Sequence, residues 1–139
     1  DVGATLERLE TLSIGLVGYK TNAFPGFYLT DSGFTLEHRA DSAQEIAAII
    51  KARHELKTDS TALVVANPVK EEMDRARHDA ILASGLAGAT AQGITGKAVT
   101  PFLLEHFHTA SDGDSLRVNI EIIKSNSALA ADIAVALNK

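Results

Sequence analysis

Thr61–Ala66 has the sequence TALVVA, a short apolar run that ends at Asn67-Pro68. A run of this length, followed directly by turn-forming residues, is typical of a strand that is buried on both faces. Ser13–Tyr19, with the sequence SIGLVGY, is a second run of the same kind. The two runs predict buried strands, and the stretches around them determine how the strands are connected.

Apolar residues at helical spacing occupy most of the remaining chain. The clearest helix start is Asp41-Ser42 followed by Glu45, which resembles an N-terminal capping box. Thr100, just before Pro101, is a plausible N-cap for a further helix. The predicted helices are Val2–Leu12, Ala43–Leu56, Asp79–Gln92, Pro101–His108, and a last long helix from Asp114 or Ser115 to Leu137.

A β-hairpin is predicted between the first strand and the second helix. Phe27–Thr30 and Phe34–Leu36 are apolar runs separated by Asp31–Gly33, which is typical turn chemistry. Helices that alternate with buried strands indicate an α/β layered domain. Because a hairpin adds an antiparallel pair, we expect a mixed sheet rather than a regular doubly wound one.

Composition excludes several classes of protein. The 139 residues carry a net charge of −5, which argues against sequence-independent binding of nucleic acid. There is no cysteine, so thiolate chemistry and disulfides are excluded, and we expect a cytoplasmic protein. No apolar run reaches the ~18 residues of a membrane span. The first residue, Asp1, has no Met before it and suggests a processed or cut chain.

Lys97 and Thr100 are candidate ligands of a phosphate group. They lie in a Gly-bounded turn before a predicted helix, where free backbone donors and the helix dipole favour an anion. The motif does not fit a nucleoside-triphosphate loop, which requires Gly at Ala91 and Ser or Thr at Ala98. Ordinary helix capping explains the same residues without a ligand.

Asn119 is the polar residue whose position most needs an explanation. It lies among Leu116, Val118, Ile120 and Ile123 on a predicted helix, and an amide beside a core must find partners. The partner is either within the protein or a ligand. By contrast, His106 and His108 point away from each other on a helix, so they do not make a metal pair.

The segments together resemble the pseudouridine-5′-phosphate glycosidase (indigoidine synthase A-like) family. Phe24–Tyr28 is similar to the family's FPAFY segment, and Asn67–Glu72 to its NPIPxEE loop. Gly93–Leu104 matches GIxGKxVTPFLL, and Ser115–Ile120 matches SLxxNI. These motifs occur in the family's order over the whole chain, and the twelve-residue match is specific.

The resemblance implies a layered α/β/α fold in which residues 1–139 are the C-terminal portion of a larger single domain. It implies reversible cleavage of the C–C glycosidic bond of pseudouridine 5′-phosphate to uracil and ribose 5-phosphate, through a lysine adduct and a proton-handling glutamate. It also implies a homotrimer and a bound manganese ion. The nucleophilic lysine belongs to an AGxKSILD segment whose last residue aligns with Asp1. The lysine and the metal ligands are therefore expected upstream, in the protein's own N-terminal half.

The resemblance carries only the asparagine of SLxxNI over directly, to Asn119, as a catalytic residue that binds either the sugar phosphate or the metal–water network. One departure concerns specificity, because Asn22 and Ala23 replace the two acids of the family's TDEFPAFY. An alternative is therefore an alnumycin-type C-glycosynthase, which joins ribose 5-phosphate to an aromatic polyketide aglycone. A second alternative is a non-catalytic module that binds ribose phosphate.

Overall fold

A computed structural model describes residues 1–139. The helices are α1 Val2–Thr11, α2 Ala43–Glu55, α3 Arg75–Ala91, α4 Val99–Ala110 and α5 Asp114–Leu137, with a 3-10 helix at Gly96–Ala98. The strands are β1 Gly15–Tyr19, β2 Arg39–Ala40 and β3 Leu63–Ala66. Both strands predicted from apolar runs are present, as β1 and β3, and β2 and α2 lie between them in the chain.

The three strands form one sheet in the order β2-β1-β3, and both pairs are parallel. Gly15 pairs with Leu63 at one end of the β1–β3 ladder, and Gly18 pairs with Ala66 at the other. The α/β class is confirmed. Within this chain, however, the sheet is parallel throughout, so the mixed sheet expected from the sequence is not formed here.

The predicted hairpin at Phe27–Leu36 is also wrong. This segment is a loop, and its one ladder-like contact is an isolated antiparallel bridge between Ala23 and Thr35. Tyr28 and Leu29 are consecutive and both buried, each 4% exposed. A half-exposed strand places consecutive side chains on opposite faces, so this burial pattern is incompatible with it. The backbone carbonyl of Tyr28 instead accepts a hydrogen bond from the Met73 N–H at 3.0 Å, which connects the loop to the segment before α3.

The capping box at the start of α2 is formed as predicted. The Ser42 hydroxyl accepts a hydrogen bond from the Glu45 N–H at 3.2 Å, and a Glu45 carboxylate oxygen accepts one from the Asp41 N–H at 2.9 Å. The first bond satisfies a backbone donor that the helix leaves unpaired, and the second joins Glu45 to the residue before the N-cap rather than to the N-cap itself.

Thr100 does not cap α4, contrary to the prediction. The chain is already helical at Gly96–Ala98, so α4 begins at Val99 and Thr100 lies within its first turn. The residue before α4 makes no side-chain capping bond. α3 likewise begins earlier than predicted, at Arg75, because the Asp74 side chain caps it through the Arg77 N–H at 2.8 Å.

Two buried clusters form the core, and α5 contributes to both. The first cluster joins the 28–29 loop to three helices and contains Tyr28, Val69, Met73, Ile81, Phe107 and Val118. The second lies on the sheet and contains Val17, Ala40 and Ile46, with Ile133 of α5 against it. α3 and α4 pack closely at Gly85, where an added Cβ would lie 2.8 Å from a methyl carbon of Leu103.

Not one of the helices combines the length and the apolar character that crossing a membrane would require.

Candidate functional site

The largest cleft lies between α3, α4 and the loop around Tyr28, and has a volume of about 440 Å³. Its wall is mainly apolar, and its polar side chains include Arg75, His78 and Thr100. Val2, the first residue of α1, also lines it. A few polar groups in an otherwise apolar concave surface of this size are typical of a small-molecule site.

Three aromatic side chains form one wall of this cleft. The rings of Tyr28 and Phe107 have their centroids 5.1 Å apart, and Phe27 meets Tyr28 edge-on at 4.6 Å. The His78 ring continues the wall, with its centroid 5.3 Å from that of Phe107. Phe27 remains 52% exposed, so part of this aromatic wall is open to solvent.

Tyr28 is the buried residue at the centre of this region. Burial raises the pKa of its phenol, and a hydrogen bond with the Ser115 side chain only partly offsets that effect. The phenol is therefore neutral at physiological pH and remains a hydrogen-bond donor.

Asn119 lies in a neighbouring depression of about 320 Å³. Tyr28 and Leu104 line both this depression and the larger cleft, so the two spaces are adjacent. The Asn119 amide has no hydrogen-bond partner within the chain, yet no side-chain nitrogen or oxygen is both fully buried and unpaired. The amide is therefore accessible from the depression. Glu105 and His108 of α4 line the same space.

The apolar neighbours of Asn119 on α5 differ in their burial. Val118 is buried at 1% exposure, but Leu116, Ile120 and Ile123 are 48%, 47% and 61% exposed. Asn119 thus lies at the border between the core and an open apolar face, rather than within a core. It is half-buried.

The two predicted phosphate ligands differ in whether they line the larger cleft. Thr100 lines the larger cleft, whereas Lys97 is exposed on the 3-10 helix and lines neither space. Thr100 therefore lines one of two adjacent spaces and Asn119 the other, and Tyr28 and Leu104 line both.

The polar residues after β3 have partners within the protein. The Asn67 side-chain amide donates to the Ser125 hydroxyl at 3.0 Å and to the side-chain Oδ1 of Asn126 at 2.9 Å. Glu72 accepts from both the hydroxyl and the backbone N–H of Thr30, and these bonds lower the pKa of its carboxyl. These contacts hold the loops together and account for both side chains.

No group of three or more His, Asp or Glu side chains converges in this chain. His106 Nε2 is hydrogen-bonded to the Ser84 hydroxyl at 2.8 Å, and His108 is exposed. His78 was not predicted as a site residue, because it lies near Tyr28 only in the folded protein and the two are far apart in the chain. No local signal marks that contact.

Comparison with known proteins identifies the family. A family model described as indigoidine synthase A like protein matches residues 1–136. A pseudouridine-5′-phosphate glycosidase of Salinispora tropica is 57% identical over 138 residues, which are 98% of this chain and 43% of the relative. A second glycosidase, from Frankia alni, is 53% identical over 98% of this chain and 38% of the relative. The chain thus spans less than half the length of these curated relatives.

Solved structures show the same fold. An indigoidine synthase A-like protein of Thermotoga maritima has a TM-score of 0.85 at 35% identity, over 100% of this chain and 46% of that one. The prealnumycin C-glycosynthase in complex with ribulose 5-phosphate has a TM-score of 0.87 at 27% identity, over 99% and 45%. Because the family model covers nearly the whole chain and the fold agrees, this chain belongs to the indigoidine synthase A-like family.

Proposed function

We propose that this chain is the C-terminal portion of an enzyme that reversibly cleaves the C–C glycosidic bond of pseudouridine 5′-phosphate, giving uracil and ribose 5-phosphate. The similarity to glycosidases supports this reading over its alternatives. Curated glycosidases match this chain at identities up to 57%, whereas the C-glycosynthase structure matches at 27%.

The position of Val2 is the observation that carries the proposal. The nucleophilic lysine is expected a few residues before Asp1, and Val2 lines the 440 Å³ cleft. The Asp1 carboxylate caps α1 by accepting from the Ala4 N–H at 3.0 Å, which fixes the start of that helix. A lysine directly upstream would therefore lie near the cleft that Thr100 also lines, beside the depression that holds Asn119.

The proposed chemistry requires a covalent adduct because a base linked through carbon is a poorer leaving group than one linked through nitrogen or oxygen. The lysine attacks the anomeric carbon and opens the sugar, and the glutamate transfers the proton that the base carbon needs as the C–C bond breaks and uracil leaves. Water then hydrolyses the lysine–sugar adduct and releases ribose 5-phosphate. Within this chain, Thr100 and Lys97 are assigned to the phosphate and Asn119 to the sugar. Asn119 has a free amide, and amides hold hydroxyl groups in a fixed orientation.

Manganese, the homotrimer and the cytoplasmic location remain proposals that rest on the family resemblance and composition. We assign the metal ligands, the lysine and the glutamate to the sequence preceding Asp1.

The runner-up is a C-glycosynthase that attaches ribose 5-phosphate to an aromatic aglycone. The sequence basis for this alternative is Asn22 and Ala23, which replace two acidic residues of the family's segment. These residues do not line the cleft or the Asn119 depression, so they give no direct argument for a different base. The high TM-score to the prealnumycin enzyme keeps this alternative open to experiment.

The test uses the complete protein, including the sequence before Asp1, with manganese. It is incubated either with pseudouridine 5′-phosphate or with ribose 5-phosphate plus a polycyclic quinone, and products are separated by chromatography. We expect uracil in the first reaction and no conjugate in the second. A quinone conjugate without uracil release would establish the synthase instead. Sugar-phosphate binding without either product would indicate a binding module.

A further inference from the structure

We infer that the 440 Å³ cleft is the subsite for the base, and that His78 is a specificity residue that accepts a hydrogen bond from a ring N–H of that base. The inference rests on the proposed function and adds the location and chemistry of base recognition to it. The class of ligand is a planar heteroaromatic ring with an N–H donor at its edge, as in uracil.

The shape and lining of the cleft suit a flat ring. Phe27, Tyr28 and Phe107 all line it, and Phe27, which is 52% exposed, offers most of the open aromatic surface because Tyr28 and Phe107 are each 4% exposed. Aromatic rings stack or meet edge-to-face with centroids about 4.5 to 7 Å apart, and a heteroaromatic base offers the same surface. The wall therefore provides stacking area without selecting among bases.

His78 supplies the polar group that stacking lacks. Its side chain is only 13% exposed, and its Nδ1 lies 2.9 Å from a carboxylate oxygen of Asp79. A carboxylate only accepts hydrogen bonds, so in the neutral form of the ring the proton is on Nδ1, directed to Asp79, and Nε2 is an acceptor.

The second ring nitrogen of His78 is available to a ligand. Nε2 has no partner within the chain, and the protein contains no fully buried side-chain nitrogen without one. Nε2 is therefore accessible, and the space beside His78 is the cleft that it lines. An acceptor fixed in orientation by Asp79 favours a base with an edge N–H over a quinone edge that offers carbonyl oxygens.

His54 provides a matched control. Its Nδ1 also lies 2.7 Å from a carboxylate, that of Asp59, but its side chain is 81% exposed and it does not line the cleft. His54→Phe thus removes the same kind of pair from a different surface. His78→Phe retains an aromatic ring against Phe107 while removing the acceptor.

The experiment measures binding of pseudouridine 5′-phosphate and of ribose 5-phosphate by calorimetry, for the complete wild-type protein, His78→Phe and His54→Phe. We expect His78→Phe to weaken binding of pseudouridine 5′-phosphate about tenfold, the effect of one desolvated hydrogen bond, and to leave binding of ribose 5-phosphate unchanged. His54→Phe should change neither.

Equal weakening for both ligands, or no change for either, would overturn the role of His78 while leaving the proposed function intact. Failure of the wild-type protein to bind either ligand would instead contradict the proposed function and the inference with it. If His78→Phe does not fold, His78→Gln replaces it, and it should retain part of the binding because its amide oxygen is also an acceptor. If His78→Gln weakens binding of pseudouridine 5′-phosphate by less than tenfold and leaves binding of ribose 5-phosphate unchanged, the role of His78 is supported. If it weakens binding of both ligands equally, the role is contradicted.

Discussion

The hydroxyl and the backbone N–H of Thr30 both donate to the same carboxylate oxygen of Glu72, at 2.6 and 2.7 Å. The two residues belong to different loops, one next to Tyr28 and the other before α3. The bond therefore fastens the loop that forms the aromatic wall of the cleft. It also makes the stability of this loop dependent on the charge of Glu72.

Thr30→Val is expected to destabilise the protein in a pH-dependent way. The folded-state pKa of Glu72 lies below its ordinary value of 4.5, so the bond stabilises the fold above that value and is lost as pH falls through the lowered pKa. Because Glu72 is exposed to solvent, we expect less than about 1 kcal/mol at pH 7. Urea denaturation at neutral and acidic pH measures the difference.

Glu72→Gln supplies the control for that experiment, alone and combined with Thr30→Val. The two substitutions should be coupled at neutral pH and additive in acid. A Thr30→Val effect of the same size at both pH values would show that the ionised carboxylate is not involved.

Gly85→Ala is expected to separate α3 from α4 and to lower the free energy of unfolding by about 1 to 3 kcal/mol. An added Cβ would lie 2.8 Å from Leu103 and 2.9 Å from the His106 ring. Gly88→Ala on the same helix meets only Phe102, at 3.4 Å, and should instead stabilise by about 0.5 to 1 kcal/mol through helix propensity. Chemical denaturation compares the pair, and equal effects would contradict the close packing at Gly85.

Ser42→Ala is expected to cost about 1 kcal/mol because it removes the N-cap of α2. Thr95→Ala is the matched control, since Thr95 precedes the 3-10 helix but makes no capping bond with its side chain. Thermal unfolding should show a lower Tm for the first variant and little change for the second. A comparable decrease in Tm for both variants would contradict a stabilising contribution of the Ser42 cap.

Local interactions explain why some elements were predictable from the sequence. Ser42 and Glu45 are three residues apart, so the capping box depends on nothing distant, and it was predicted correctly. β3 was recognised because Leu63–Ala66 is apolar on both faces. The helix that carries Asn119 also formed where it was predicted.

Tertiary contacts explain what the sequence did not show. Phe27–Thr30 has the composition of a strand, but Tyr28 is buried against Phe107 of α4 and pairs with Met73 rather than with a neighbouring strand. Thr100 fits a helix start by residue type, yet the chain is already helical before it. His78 gained its place in the cleft wall from contacts with distant aromatic residues, for which adjacent sequence gives no pattern.

The rate of uracil release from pseudouridine 5′-phosphate, measured for the complete wild-type protein and for Asn119→Ala, tests the central claim most directly. We predict release by the wild type and a rate at least tenfold lower for the variant, equivalent to about 1.4 kcal/mol of transition-state stabilisation. Asn138→Ala, at the end of α5 and outside both spaces, should match the wild type, and circular dichroism should show all three folded. No release by the wild type, or an unchanged rate for Asn119→Ala, would contradict the account.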